Sequence, residues 1–443
     1  MSKGFGFTSN NDDEGPQDPM ESLFRMLGNS GGGFVSWSPQ EGFTGGGPLG
    51  DMLRQFSRMM DNDTSNTPPT LDPELMITGG TGALGKEQGP RSGDAAMVEE
   101  AVRLAELWLD EVTDIPTAQA PAEAWSARQW LTRTVPTWVR LGEPIIDSRG
   151  AANQDSVPED AKQMVAPVMK VMNSFSHMQA SSSIGASLGE VAAHTITGCD
   201  LGLPVLTGTI VVLTEHLREA IADLDVPQQE AVVYIVAREA ARQRLFAHAP
   251  WIGESLISAV EEYAAGLTID TSSVDDVLRD VQSGDFDPER IQEALKKLEP
   301  KVYTRNDYST SRFTTLVALI EGWVDHVTHA ALMDRIPSTE ALEEAWRRRR
   351  SAGFTAEHVL AEALDIDLGE STIDQAVDLW KRVEFAVGKQ GRDHVFDHPD
   401  FLPTAADLAA SAEFIDKLLA ASTADDDFDP IAEITRLEEE QSE

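Results

Sequence analysis

Val232-Val233-Tyr234-Ile235-Val236-Ala237-Arg238-Glu239-Ala240-Ala241-Arg242-Gln243-Arg244-Leu245-Phe246-Ala247-His248 is apolar as far as Ala237 and then abruptly charged. Pro227 marks the start of this helical stretch and Pro250 its end. Arg238 and Arg242 are four residues apart, so two like charges share one helical face, which is unfavourable unless carboxylates lie opposite. Acidic side chains from another segment are therefore expected to face them.

Helical periodicity continues on both sides of this stretch. Val98, Val102, Ala105 and Leu109 are spaced for one buried stripe, and Trp125, Trp130 and Leu131 continue it on a second segment. Pro158 to His177 and Ser181 to His194 read as two helices, the second carrying Gly185 and Gly189 at a spacing that lets a neighbouring backbone approach. Further helices are expected over Trp251 to Leu267, Pro288 to Leu298, Arg312 to Leu332, Thr339 to Arg350 and Ser371 to Val387. The best extended candidate is Gly202 to Val212, where β-branched residues cluster after glycines. The expected fold is mainly α: one multi-helix body over 96–420 with little β structure. It is flanked by a disordered arm rich in Gly, Asp and Pro over 1–95 and an acidic tail over 421–443. Two apolar pieces interrupt the arm, Met20 to Leu27 and Leu49 to Met60, and could dock on a protein partner.

The formal net charge of -40 repels phosphates and anionic head groups, so neither nucleic acid nor a membrane surface is expected as partner. Cys199 is the single cysteine, which excludes an intramolecular disulfide and a multi-thiolate metal site. The start of the chain lacks the pattern of a secretory signal, and no apolar run reaches membrane-span length, so a cytoplasmic location is expected.

Arg238-Glu239-Ala240-Ala241-Arg242-Gln243-Arg244-Leu245-Phe246-Ala247-His248-Ala249-Pro250-Trp251 resembles, without a gap, the helix of the actinobacterial zincin-like metallopeptidase family that carries His-Glu-x-x-His in its fuller form. Ala259 to Ala264, Glu321-Gly322-Trp323-Val324-Asp325 and His398 to Leu408 are also similar to that family. The resemblance implies a helical zincin-like body and a zinc-dependent hydrolase. In such a helix, two histidines four apart grip zinc and the adjacent glutamate polarises the metal-bound water. Here only Glu239 is kept. Both ligand positions are arginine, which stays protonated, has no lone pair to donate and repels a dication.

By the resemblance a third ligand lies about twenty residues beyond the second histidine, and Glu262 stands at that distance from Arg242. We expect instead that Arg238 and Arg242 form ion pairs with Glu262, Glu261 or Glu321, filling the old metal position with guanidinium. Glu239 is then a structural carboxylate rather than a general base. His248, next to Pro250-Trp251, is read as satisfying helix-terminal carbonyls before it is read as a displaced ligand. His326 and His329, with Asp325 or Glu321, offer the pattern of another compact metal site, against two solvated side chains. His394 and His398 precede Pro399 in a turn or capping context, and the run Arg347 to Arg350 is expected to pair with surplus carboxylates.

The expected function is thus that of a catalytically inactive family relative acting as an interaction or scaffolding protein, with no cofactor. The alternative is an active zinc-dependent hydrolase with a non-standard ligand set drawn from His248, Glu262, His326 and His329.

Overall fold

The computed structural model describes residues 35–38, 42–45, 69–155, 159–269, 302–304, 307–366 and 371–426. It separates into two units, 1–68 and 69–443. In the first, β1 (Val35–Ser38) pairs antiparallel with β2 (Gly42–Gly45), Val35 opposite Gly45. The apolar pieces Met20 to Leu27 and Leu49 to Met60, the expected helix Pro288 to Leu298 and most of the acidic tail lie outside the described residues.

The second unit begins earlier than the sequence reading places it. Helix α1 (Pro73–Leu84) lies inside the stretch assigned to the arm; Asp72 caps it by accepting the Glu74 and Leu75 N–H groups, and Met76 is fully buried. Its two adjacent glycines suggest a flexible segment, but they are required by packing. Helix α2 (Asp94–Val112) buries Val98, Ala101, Ala105 and Leu109 on one stripe, with Val102 half-buried beside it. Helices α3 (Ala127–Asp155) and α4 (Glu159–His194) follow. The two helices expected over 158–194 are one, because the Ser181 hydroxyl donates to the His177 carbonyl at 2.7 Å and so is satisfied within the helix instead of breaking it.

α1 crosses α4 at glycine. A Cβ on Gly185 would sit 2.3 Å from the Met76 carbonyl oxygen, and one on Gly189 would sit 2.3 Å from that of Gly80. No side chain fits at either place, so the close approach anticipated for this glycine pair is realised with α1 as the neighbour.

After α4 the chain runs through a glycine-containing loop to β4 (Ile210–Val212), which pairs parallel with β3 (Ala122–Ala124). Only these last three residues of the expected extended stretch pair as a strand; Gly202 and Gly208 have φ of 74° and 79° and turn the rest into loop. Helix α5 (Thr214–Ala220) leads to α6 (Gln228–His248), the axis of the body, buried continuously from Ala231 to Phe246. α7 (Trp251–Ala265) follows, and β5 (Leu267–Ile269) pairs antiparallel with β6 (Val302–Thr304).

Helix α8 (Asp307–Leu332) packs on α6, α2 and α7 and buries Phe313, Ile320, Trp323 and Val327. Each such side chain contributes about 1.5–3 kcal/mol of apolar burial. α9 (Thr339–Ser351), α10 (Ala356–Leu364), α11 (Ile373–His394), α12 (Ala405–Ala409) and α13 (Ala412–Asp426) complete the order, α11 lying along α8. Among the described residues the second unit is mainly helical with two short two-stranded pairings. No helix among them is long and apolar enough to cross a membrane.

Candidate functional site

The charged half of α6 is the site. Arg238, Glu239, Arg242, Gln243 and Arg244 are each at most 2% exposed, so every one of their polar atoms needs a partner inside the protein. α8 supplies two of the partners from one face. Arg242 meets Glu321 side-on, Nε to Oε1 at 2.7 Å and a terminal nitrogen to Oε2 at 2.8 Å. Arg238 donates to Glu321 Oε2 at 3.0 Å and to Asp325 Oδ1. Asp325 in turn accepts from Arg350 of α9, at 2.7 Å on Oδ2. The acidic groups expected opposite the arginines are therefore present: Glu321 as anticipated, Asp325 in addition.

Burial by itself pushes the Asp325 carboxyl upward; the Arg238 and Arg350 guanidiniums outweigh it and hold Asp325 well below the usual carboxylate range. For Arg238 and Arg242, burial opposes the charge while Asp325 and Glu321 reinforce it, and both remain cationic. The pairing is charge-assisted and bidentate where Arg242 meets Glu321, the geometry that arginine provides and lysine does not.

Glu262 is not a partner of this cluster. It accepts from Arg312 at 2.8 Å near the surface, so sequence distance from Arg242 is met but spatial proximity to the arginines is not used.

Glu239 points to a different face and is sealed. It is 0% exposed, and the Cys199 N–H donates to both of its oxygens at 3.1 and 3.2 Å. The Gln243 side chain donates to Glu239 Oε1 at 3.0 Å and to the Leu206 carbonyl at 2.9 Å, while its own oxygen accepts the Gly208 N–H at 2.9 Å. Gln243 thus staples the 199–208 loop onto the helix. A Cβ on Gly198 would lie 3.0 Å from Glu239 Oε1, and one on Gly202 would lie 2.9 Å from Glu321 Oε1, so both glycines are places where the loop backbone rests against these carboxylates. Burial raises the pKa of Glu239 against the lowering effect of Arg242 and the hydrogen bonds. A carboxyl with this enclosure has no open path to a water or substrate.

Cys199, under the same loop, donates to the Leu206 carbonyl, and burial together with Glu239 pushes its thiol well above the ordinary range. It is a packed thiol, not a nucleophile.

The histidines disperse. His248 Nε2 meets Asp397 Oδ1 at 2.7 Å, and His394 Nδ1 shares the other Asp397 oxygen at 2.5 Å. His248 is thus engaged by a side chain rather than by helix-terminal carbonyls. His326 pairs with Glu384 at 2.5 Å and His329 with Glu343 at 2.8 Å, neither of them free on the helix surface. His398 caps the short helical turn at Pro399–Phe401 by accepting the Asp400 N–H, the capping role expected of it. The four arginines of α9 pair with carboxylates, Arg347 and Arg348 with Glu344, Arg349 with Asp200 and Arg350 with Asp325.

A zinc ion does not fit this donor set. Protonated guanidiniums stand where the resemblance implies the two histidines, their carboxylate partners are already engaged, and Glu239 is turned into the loop. Among the described residues no group of three or more His, Cys, Asp or Glu is placed to hold a metal.

Asp325 and Arg350 belong to the cluster, and spacing along α6 alone does not name them. The signal was present: Glu321 and Asp325 repeat on α8 the four-residue spacing of Arg238 and Arg242 on α6, so two like-charged pairs of opposite sign can lie in register across two packed helices.

Among solved structures, the chain is similar to a crystal structure from Chloroflexus aurantiacus described as a candidate hydrolase with a novel fold. The TM-score is 0.55 at 18% identity, covering 79% of this chain and 98% of that one, a likeness of fold. No curated protein matches. The sequence profile of the zincin-like metallopeptidases matches residues 78–415, which include the whole arginine-bearing helix and its acidic partners. The chain belongs to the zincin-like metallopeptidase family.

Proposed function

We propose that this chain is a catalytically silent zincin-like protein, a cytoplasmic interaction or scaffolding factor that keeps the family's helical body without its hydrolytic centre. The observation that carries this reading is the arrangement at α6: Arg238 and Arg242 occupy the ligand positions and are neutralised by Glu321 and Asp325. A buried ion-pair cluster of this kind holds helices in register and takes the place of a metal as the internal counter-charge.

The alternative ligand set gains no support from geometry, since His248, Glu262, His326 and His329 each have a separate partner. A protein partner is the ligand class that fits the reading, engaged through the amino-terminal segment and its apolar pieces.

The test is elemental analysis of purified, tag-free protein, dialysed and then challenged with zinc, beside an assay of peptide hydrolysis. We expect no stoichiometric zinc and no turnover. About one tightly held zinc per chain, the content of a mononuclear site, or zinc-dependent cleavage, overturns the proposal.

A further inference from the structure

On the Gln243 side of α6, the helix end, α3, the 199–208 loop and the start of α7 leave a recessed cleft of about 450 Å³. Its wall is largely apolar: Leu141 from α3, Leu203 and Val205 from the loop, Phe246 from α6, Leu256 and Ile257 from α7. Each of the six is at most 9% exposed, so they lie below the surface and not on it. α7 faces the loop at Gly253, where a Cβ would meet Pro204 Cγ at 3.4 Å, an ordinary contact. Folded interiors leave few voids larger than a water molecule, and a space of this size falls in the range of small-molecule sites, roughly 300–1,000 Å³.

The polar side chains around the cleft are already committed. Thr137 donates its hydroxyl to the Val205 carbonyl at 3.2 Å. Gln243 uses both amide hydrogens on Glu239 and the Leu206 carbonyl, and its oxygen on the Gly208 N–H. Arg140 and Glu254 pair with each other at 3.0 Å, both of them exposed, and Thr207 is exposed on the loop. A charged or strongly polar group entering the recess would give up its water and find no free partner, whereas a hydrocarbon gains by leaving water. We infer that the cleft binds a small uncharged apolar molecule, aliphatic or aromatic. The charges agree with this: the one cation lining the cleft is matched by the one anion, so no net field draws an ion in. The depth of the lining fits a free small molecule rather than a side chain held on a partner's surface, which would have to reach residues that are almost wholly covered.

Leu203, Pro204, Val205, Thr207 and Gly208 line the cleft and belong to the loop that covers Glu239, so an occupant packs against that loop and steadies it. The inference goes beyond the proposed function and fails separately, since zinc uptake bears on the arginine cluster and none of those arginines lines this cleft.

The experiment is a fluorescence titration of the full chain with phenylnaphthylamine, an uncharged probe that brightens in apolar surroundings, followed by competition with toluene, benzoate and benzylamine. We expect saturable binding of about one probe per chain, displaced by toluene at least about tenfold more effectively than by either charged analogue. Gly253→Leu places a side chain in the cleft beside Pro204 and raises helix propensity, so probe binding should weaken about tenfold or more without a fall in Tm. Amide exchange, which needs no variant, should slow across residues 203–208 when the probe is bound. Absence of saturable binding, binding undiminished in a folded Gly253→Leu protein, charged analogues competing as well as toluene, or unchanged exchange across 203–208 overturns the inference. So does uptake of an apolar peptide by a chain that leaves the probe unbound.

Discussion

Arg242 and Glu321 meet through two parallel hydrogen bonds, 2.7 and 2.8 Å, in a part of the protein where neither side chain is more than 5% exposed. Removing one member leaves the other charged and dry. Arg242→Ala is expected to destabilise the fold by about 3–5 kcal/mol, the cost of breaking a buried pair from one side. Urea unfolding measures it, and an unchanged midpoint would show that the pair carries no structural load.

Substituting both arginines by histidine should convert the cluster. In the double variant Arg238→His, Arg242→His, two imidazoles four apart face Glu321, which loses its guanidinium partners and becomes available as a third ligand. We expect about one zinc per chain by titration calorimetry, and loss of that uptake when Glu321→Gln is added. No peptide hydrolysis is expected, because Glu239 stays under its loop. Failure of the double variant to take up zinc would mean that Glu321 is not placed as the pairing geometry implies.

Asp325 gives the acid limb of stability a sign. Its folded pKa lies below the ordinary 3.8, so it contributes stability that is fully present above that value and is lost as pH falls through the folded value. Native protein should therefore lose stability on acidification below about pH 4. Asp325→Asn should be less stable at neutral pH and lose less on acidification. Superimposable pH profiles for the two proteins would count against a pairing role for Asp325.

The glycine crossing admits no side chain. Gly185→Ala places a methyl group 2.3 Å from the Met76 carbonyl oxygen, a backbone atom that cannot rotate away. The helices must separate, at a cost of about 1–3 kcal/mol, seen as a lower Tm. Gly82→Ala, at a position with nothing within 4 Å, serves as control and should leave Tm unchanged or slightly higher.

The boundary of the folded body can be tested by truncation. A chain beginning at Pro69 should unfold with the same midpoint as the full protein, since the second compact unit starts there. A chain beginning at residue 96 lacks α1 and exposes the α4 face that it covers, and should fail to give a cooperative transition. Cooperative melting of the shorter chain would show that α1 is an appendage.

Much of this architecture was legible in the residue pattern. The buried axis at α6, the like-charged arginines and their need for acidic partners follow from spacing alone. The sequence offers Glu321 as a partner, but choosing it over Glu262 requires that α8 pack along α6, a tertiary fact that sequence distance does not carry. α1 was hidden for a different reason. Gly79 and Gly80 lower intrinsic helix propensity, and their value appears only when α4 is close enough to exclude a Cβ. The enclosure of Glu239 was likewise out of reach, because it depends on backbone N–H groups of a loop whose course is set by glycines at positive φ.

The loop held against Glu239 and Glu321 sets a condition on any hydrolysis at this helix. Gly202 leaves no room for a side chain against Glu321, and the Cys199 N–H donates to both oxygens of Glu239. On the proposed reading, a metal-dependent hydrolytic centre on this helix would require changes in two places, new ligands at Arg238 and Arg242 and an opened loop above Glu239.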